Sequence, residues 1–400
     1  MENSGEHIPD DSEMVEGWLK RTRKTESLPS NGDEDKPAKK LKFEPMHVSK
    51  HTAFPSPIEA PSPPTHGNQL LNEVDYDSEA PSSQADDYQY ANHWLDFKTL
   101  NPNHDDMPAT LKLFLVSLLA LQKDKKIIPK TSKDEIEAYP GPDCTLAMLD
   151  DDSYYVPDES ESACTKGLFD AAIKILEAAE KCHSHQCNEN GWNNLVYTPL
   201  LTTAMESFKP EDHQLIDVAP CSTATIDPEW HRKSVPKGQV DYVLYVDPSR
   251  EPIARDKCLA RRDRVGSVNH TQFIPTAEFP IAASIKSKSR QGSSQDAEVQ
   301  MAAWQAAQWH KMDIAVGNQT SELGFLPGII IDGHEWRFHA TTYVLLGNKT
   351  KTLWSSHILG STTTIAGVFC ILAGIRAINI WIRDTFWPWY KKYELSPKIA

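Results

Sequence analysis

The sequence lacks the features that mark secreted or disulfide-stabilised proteins. The segment Met1 to Met14 has neither the basic start nor the apolar core of a secretory signal peptide. The seven cysteines are odd in number and have no regular spacing, which argues against a disulfide framework. We therefore expect a chain that resides in a reducing, intracellular compartment.

Periodic apolar residues are scarce in residues 1–90, which are rich in Ser, Pro, Asp, Glu and Asn. Such a segment cannot bury enough apolar surface to offset the entropy of ordering, so we predict an acidic disordered region. Two basic clusters lie inside it, at 20–24 and at 36–42, and they include Lys20, Arg21, Lys39 and Lys40. This pair is typical of a bipartite nuclear import signal, which predicts an import receptor as partner and a nuclear location. A solvated charge run is the alternative interpretation.

Basic residues are also fewer than acidic residues, but only in one part of the chain. The chain has 41 Lys and Arg against 56 Asp and Glu, a formal net charge of −15. Residues 1–180 hold 18 basic and 35 acidic residues, whereas residues 181–400 hold 23 and 21. Because like charge repels a polyanion, an acidic surface argues against nucleic-acid binding. The C-terminal part is not acidic in this sense, so nucleic acid remains a possible partner for it.

The pattern of apolar residues divides the rest of the chain. A helical segment is predicted at 91–138, an acidic linker at 139–166, a larger domain at 167–392 and a short tail at 393–400. Within the domain the order is helices, three strands, a long helix beginning near residue 295, two strands with a turn at Asp332 and Gly333, and a final helix from about Thr363. This order predicts an α/β fold with a mixed central sheet flanked by helices.

The segment Gly360 to Ile382 is the longest apolar stretch of the chain and has two interpretations. Its only charged residue is Arg376, and its longest uninterrupted apolar core has eleven residues. That core is too short to cross a bilayer, so we favour a buried helix over a membrane anchor. Trp381, Trp387 and Trp389 are then expected to pack on the domain.

Several short motifs in a fixed order carry a family resemblance. The segments and residues are Glu189, Trp192, Asp241, Ile285 to Lys288, Gln300, Gly333 to Trp336 and Gly360 to Ala373. In this order and spacing the chain resembles the fungal PD-(D/E)XK nuclease-like domain family over residues 110–390. The resemblance implies the fold predicted above and a metal-dependent cleavage of phosphodiesters.

The resemblance also implies roles for particular side chains. Asp241 matches the first metal-binding carboxylate, and Glu189 matches an accessory acidic position. Lys288 matches the catalytic lysine, and Gln300, followed by Trp304 one helical turn later, resembles the Gln and aromatic pair of some exonuclease branches. An active enzyme of this kind would use magnesium or manganese, because hard cations prefer carboxylate oxygens. Taken without the resemblance, Asp241 is an ordinary carboxylate at a strand start and Gln300 a buried amide.

The sequence departs from the family pattern at one decisive position. Where the family usually has Ile-Glu-Thr-Lys, this chain has Ile285, Lys286, Ser287 and Lys288. An ammonium group thus replaces the second metal-binding carboxylate and repels a cation. A ligand that has migrated to Asp296 or Glu298 could compensate.

Two functions follow from this altered site. We favour a degraded, inactive nuclease, a pseudoenzyme that keeps the fold for binding nucleic acid or protein. The alternative is an active metal-dependent nuclease that cleaves DNA or RNA.

A cluster of Cys182, His183, His185 and Cys187 could in principle bind zinc. Four ligands within six residues cannot easily surround a metal tetrahedrally. We therefore predict a polar loop at this position.

Overall fold

The computed structural model describes residues 95–123, 125–207, 215–231, 235–288, 293–344 and 350–396. The predicted disordered region and its two basic clusters lie outside these ranges. The strands are β1 (Leu95–Thr99), β2 (Ile128–Pro129), β3 (Tyr154–Tyr155), β4 (Ile216–Pro220), β5 (Tyr242–Val246), β6 (Ile281–Ser287), β7 (Leu326–Asp332), β8 (Glu335–Val344) and β9 (Thr350–Ser361).

The α-helices are α1 (Ala109–Leu121), α2 (Lys133–Glu137), α3 (Glu159–Cys164), α4 (Leu168–Ser184), α5 (Glu189–Trp192), α6 (Thr198–Glu206), α7 (Pro252–Val265), α8 (Ser294–Val316), α9 (Ile365–Trp381) and α10 (Trp387–Tyr393). Two π-helical turns, Asn193–Tyr197 and Ile382–Phe386, join α5 to α6 and α9 to α10.

Seven strands form one mixed sheet in the order β1-β9-β8-β7-β6-β5-β4. The β1/β9 and β6/β7 pairs are parallel, and the other neighbours are antiparallel. The predicted mixed sheet with flanking helices is thus confirmed. Because β5 and β6 are antiparallel neighbours, the start of β5 and the end of β6 meet at one end of the sheet.

Helices cover both faces of this sheet, which explains the continuous apolar character of its central strands. Successive side chains of a strand point to opposite faces. Leu244 and Ile331 accordingly join the larger core cluster, whereas Val243 and Ile330 join a smaller one with Trp304 of α8. The central strands are therefore fixed from both sides, and the side chains at their ends are held in defined places.

Helix α9 is the buried helix predicted from the apolar stretch. Together with α10 it is long and apolar enough to cross a membrane by length and composition, but 78% of its most apolar window is buried inside the domain. Arg376 is paired with Glu161 of α3 at 2.7 Å and lies over the ring of Tyr155. Trp381, Trp387 and Trp389 are buried, as predicted.

The structure adds elements that the sequence pattern did not predict. Strands β1 and β9 pair in parallel at one edge of the sheet, and α7 follows β5. Helix α7 has many charged residues and no clear apolar stripe, which hides it from periodicity arguments. The predicted linker, 139–166, contains α3 and the strand β3, which pairs with β2.

Candidate functional site

Asp241 lies directly before β5, and backbone hydrogen bonds hold it from both sides. Its amide donates to the carbonyl of Ile285 at 2.8 Å, and its own carbonyl accepts from the amide of Cys221 at 2.8 Å. Gly238, three residues earlier, lies so close to α8 that a Cβ there would be 2.4 Å from the backbone nitrogen of Trp304. The carboxylate of Asp241 is therefore fixed, and the residue is only 5% exposed.

The end of β6 supplies three donors to this one carboxylate. The Asp241 Oδ2 atom accepts from Lys286 Nζ at 2.9 Å, from the Ser287 amide at 2.6 Å and from Ser287 Oγ at 2.9 Å. Donors to a charged oxygen form stronger hydrogen bonds than neutral pairs do. This arrangement fixes the position of the carboxylate inside the domain.

Glu189 joins the same cluster from the helical side. It opens α5, whose N-cap Asn188 accepts from the amide of Gly191 at 3.0 Å. Its Oε1 atom lies 3.2 Å from Ser287 Oγ, whose one proton is donated either here or to Asp241, and 3.8 Å from Lys286 Nζ. The structure thus brings Asp241 and Glu189 together, with the ammonium group of Lys286 beside both.

Lys288 reaches a different carboxylate. Its backbone amide donates to the carbonyl of Ile331 at 2.8 Å, which continues the pairing of β6 with β7. Its Nζ atom lies 2.8 Å from Oδ2 of Asp332, at the end of β7, and 3.4 Å from Oγ of Ser294 in α8. Asp241 and Lys288 therefore lie at the same end of the sheet, as predicted, but the side chain of Lys288 contacts Asp332 and Ser294.

The remaining candidates lie on α8, outside this cluster. Gln300 is half-buried, and among the described residues no hydrogen bond joins it to Asp241 or Lys288. Asp296 forms a capping box with Ser293 at the start of α8. Glu298 lies 4.0 Å from His339, and burial raises the pKa of its carboxyl. These contacts direct Asp296 and Glu298 to other partners, so neither takes the place of the missing carboxylate.

The donor set can be tested against a divalent cation. Such an ion needs carboxylate oxygens with free lone pairs, usually from one or two acidic groups. Here Oδ2 of Asp241 already accepts three hydrogen bonds, and Lys286 places a positive charge between the two carboxylates. Within the described part of the chain no group of three or more His, Cys, Asp or Glu could hold a metal ion. The residues at this site therefore do not fit a divalent cation in the observed arrangement.

Comparison with known families decides the identity of the fold. A family model of the PD-(D/E)XK nuclease superfamily matches residues 145–387, which is more than half of the chain. The chain belongs to the PD-(D/E)XK nuclease superfamily. The match begins inside the predicted linker and covers the sheet from β4 to β9 together with α9. No curated protein and no solved structure matched the chain.

PD-(D/E)XK nucleases generally use magnesium or manganese, whereas in this chain Asp241 and Glu189 lie together with the ammonium group of Lys286 beside them. Two contributors to the site were not predicted from the sequence. Ser287 bridges the two carboxylates, and Asp332 pairs with Lys288. Asp332 had a detectable signal, since it ends a buried apolar run directly before a turn. Ser287 had none, because a serine in a strand is an ordinary residue.

Proposed function

We propose that this PD-(D/E)XK protein has lost metal-dependent nuclease activity and uses the fold to bind nucleic acid. One observation carries the proposal. The ammonium group of Lys286 lies 2.9 Å from Asp241 and 3.8 Å from Glu189, at the sequence position where the family pattern has a metal-binding carboxylate. Lys286 thus places one positive charge beside these two carboxylates.

Electrostatics explains why this substitution opposes a metal. An ammonium group a few ångströms from a divalent ion repels it by on the order of several kcal/mol at an intermediate dielectric. Moving Lys286 aside would also break an ion pair whose side chains are 11% and 6% exposed. Breaking such a buried pair is costly, since it leaves an uncompensated charge in the domain.

Nucleic acid is the partner that the superfamily favours. The near balance of charge in residues 181–400 is compatible with that partner. A protein partner is the alternative outcome of the binding test below.

A nuclease assay tests the loss of activity. Purified protein is incubated with double-stranded DNA, single-stranded DNA and RNA in the presence of Mg²⁺ or Mn²⁺. We expect no metal-dependent cleavage by the natural sequence. Lys286→Glu should raise the affinity for Mn²⁺, measured by calorimetry, because it replaces a repelling charge with a ligand. Lys286→Gln is the matched control, since it removes the charge without adding a ligand, and it should raise that affinity less.

One outcome of this assay would overturn the proposal. If the natural sequence cleaves nucleic acid robustly with metal and Asp241→Ala abolishes the cleavage, the chain is an active nuclease. In that case Lys286 must leave Asp241 when metal and substrate bind.

Binding is tested separately, in the presence of a chelator. Fluorescence anisotropy with the same three nucleic acids should show binding that weakens as salt rises from 50 to 200 mM, roughly as expected for the release of counterions from phosphates. Absence of binding at low salt would remove nucleic acid as the partner and leave a protein partner.

We also propose a nuclear location, supported by the two basic clusters at 20–24 and 36–42. A fluorescent fusion of the natural sequence should accumulate in the nucleus, and the same fusion with Lys20, Arg21, Lys39 and Lys40 changed to Ala should not. Equal distribution of both fusions would contradict an import signal. We also propose a fungal source, which the order of the site motifs suggests.

A further inference from the structure

The end of α4 has a specific capping geometry. Gln186 adopts a left-handed backbone conformation with φ of 53°. Its amide donates to the carbonyl of His183 at 3.2 Å, and the amide of Cys187 donates to the carbonyl of Cys182 at 2.9 Å. These two bonds, of the 5→2 and 6→1 types, define a Schellman motif. In this motif the side chains of the residues that form the 6→1 bond commonly touch.

In this chain those two side chains are both thiols. The 6→1 bond brings the side chain of Cys187 beside that of Cys182, and burial, with a further contribution from the neighbouring Cys187 thiol, raises the pKa of Cys182 to about 11. Cys182 is fully buried, whereas Cys187 is partly exposed. Both cysteines are free. The cap therefore holds a pair of free thiols side by side, one buried and one partly exposed.

We propose that Cys182 and Cys187 are a redox modification site, which closes to an intrachain disulfide when a hydroperoxide oxidises it. The thiolate of Cys187 attacks one oxygen of hydrogen peroxide, which gives a sulfenic acid and releases hydroxide. The sulfur of Cys182 then attacks the sulfenic sulfur, loses its proton and expels the second oxygen as water. Two thiols and one peroxide thus give one disulfide and two waters, so two electrons pass from sulfur to oxygen.

The position of this pair links it to the carboxylate cluster. Cys187 precedes Asn188, the N-cap of α5, and Glu189 is the next residue. The Cys182 thiol also donates weakly to the carbonyl of Gly191 at 3.9 Å. A disulfide removes this donor and ties the start of α5 to the end of α4. Oxidation therefore acts on the segment that places Glu189 beside Lys286.

Peptide mapping of the full chain tests the proposal. The protein is treated with hydrogen peroxide, quenched, unfolded and alkylated with N-ethylmaleimide. Cleavage after Glu180 and Glu189 then releases the peptide 181–189, in which Cys182 and Cys187 are the only cysteines. We expect this peptide to be about 2 Da lighter than its reduced form and to carry no alkyl group, which is the mass signature of a disulfide. Prior reduction should restore two alkylated thiols.

Two controls make the result specific. Cys144 is exposed and reports that the peroxide dose was sufficient. In Cys182→Ser, the sulfenic acid of Cys187 has no partner and should be trapped by dimedone, whereas Cys187→Ser should leave Cys182 alkylated. Two alkylated cysteines in peptide 181–189 at a dose that oxidises Cys144 would overturn the proposal. Separate oxidation of the two thiols without a disulfide would overturn it as well.

Discussion

Two lysines at the end of β6 show how strongly surroundings decide the role of a residue. Lys286 and Lys288 are two positions apart and so point to the same side of the strand. Lys286 is paired with Asp241, whose side chain is 6% exposed, whereas Lys288 is paired with Asp332, whose side chain is 46% exposed. Both side chains of the first pair lie in the interior, whereas the carboxylate of the second pair is exposed to water.

This difference predicts unequal losses of stability. Lys286→Met should lower the free energy of unfolding by about 3 kcal/mol, because it leaves a buried carboxylate with only the donors of Ser287. Lys288→Met is the matched control and should cost less than about 1 kcal/mol, since Asp332 is hydrated in its absence. Urea unfolding of both variants measures the losses. Equal losses would mean that water reaches Asp241 as easily as it reaches Asp332.

At the scale of elements, the ends of helices carry information that their apolar faces do not. Gln186, two residues after the end of α4, has a positive φ, a conformation that costs residues other than glycine on the order of 1 kcal/mol or more. The Schellman geometry places Cys187 on Cys182 and then starts α5. The conformation of Gln186 thus determines where α5, which opens with Glu189, begins.

Gln186→Gly should therefore stabilise the protein, by about 0.5 to 1 kcal/mol, since glycine adopts this conformation without a steric cost. Ser184→Gly, in the last turn of the same helix, is the control and should destabilise by a similar amount, because glycine weakens a helix interior. Thermal unfolding of the two variants and the natural sequence shows whether each substitution stabilises or destabilises the protein. Destabilisation by Gln186→Gly would show that its side chain has a contact more important than the backbone strain.

At the scale of the whole molecule, buried histidines make stability depend on pH. Burial lowers the pKa of His270 to about 3, with a smaller contribution from the charge of Lys311. Burial likewise lowers the pKa of His339 to about 3, with a smaller contribution from Arg337. Above pH 6.5 both histidines are neutral in the folded and the unfolded chain. As the pH falls from 6.5 towards 3 only the unfolded chain takes up these protons, so stability is lost across that window.

Between pH 7 and pH 5 each of these histidines should remove about 2 kcal/mol of unfolding free energy. His270→Leu should recover that share of the pH difference, because it removes one of the two groups. The exposed His185, changed to Gln, is the control and should leave the difference as it is in the natural sequence. Urea unfolding at pH 7 and at pH 5 measures this difference in unfolding free energy for each variant. A pH difference that His270→Leu does not alter would show that His270 is hydrated or already protonated in the folded chain.

The local sequence determined much of this fold. Continuous apolar runs fixed β5, β6 and β7, and the family order put Asp241 and Lys288 at one end of the sheet. Helix α9 was predicted as a buried helix because Arg376 interrupts its apolar run. Each of these conclusions depends on residues close together in the chain, where periodicity and charge are visible.

Only the tertiary structure decided which groups meet. The pairing of β1 with β9 joins segments more than 250 residues apart, and no local period encodes such a contact. Alternation placed Lys286 and Lys288 on one side of β6, but the carboxylate that each reaches depends on the position of α5 and on the register of β7. Lys286 pairs with Asp241 because the start of β5, the end of β6 and the helix α5 converge there. A convergence of this kind is set by packing across the whole sheet, which is why the sequence revealed the lost carboxylate but not the ion pair that replaced it.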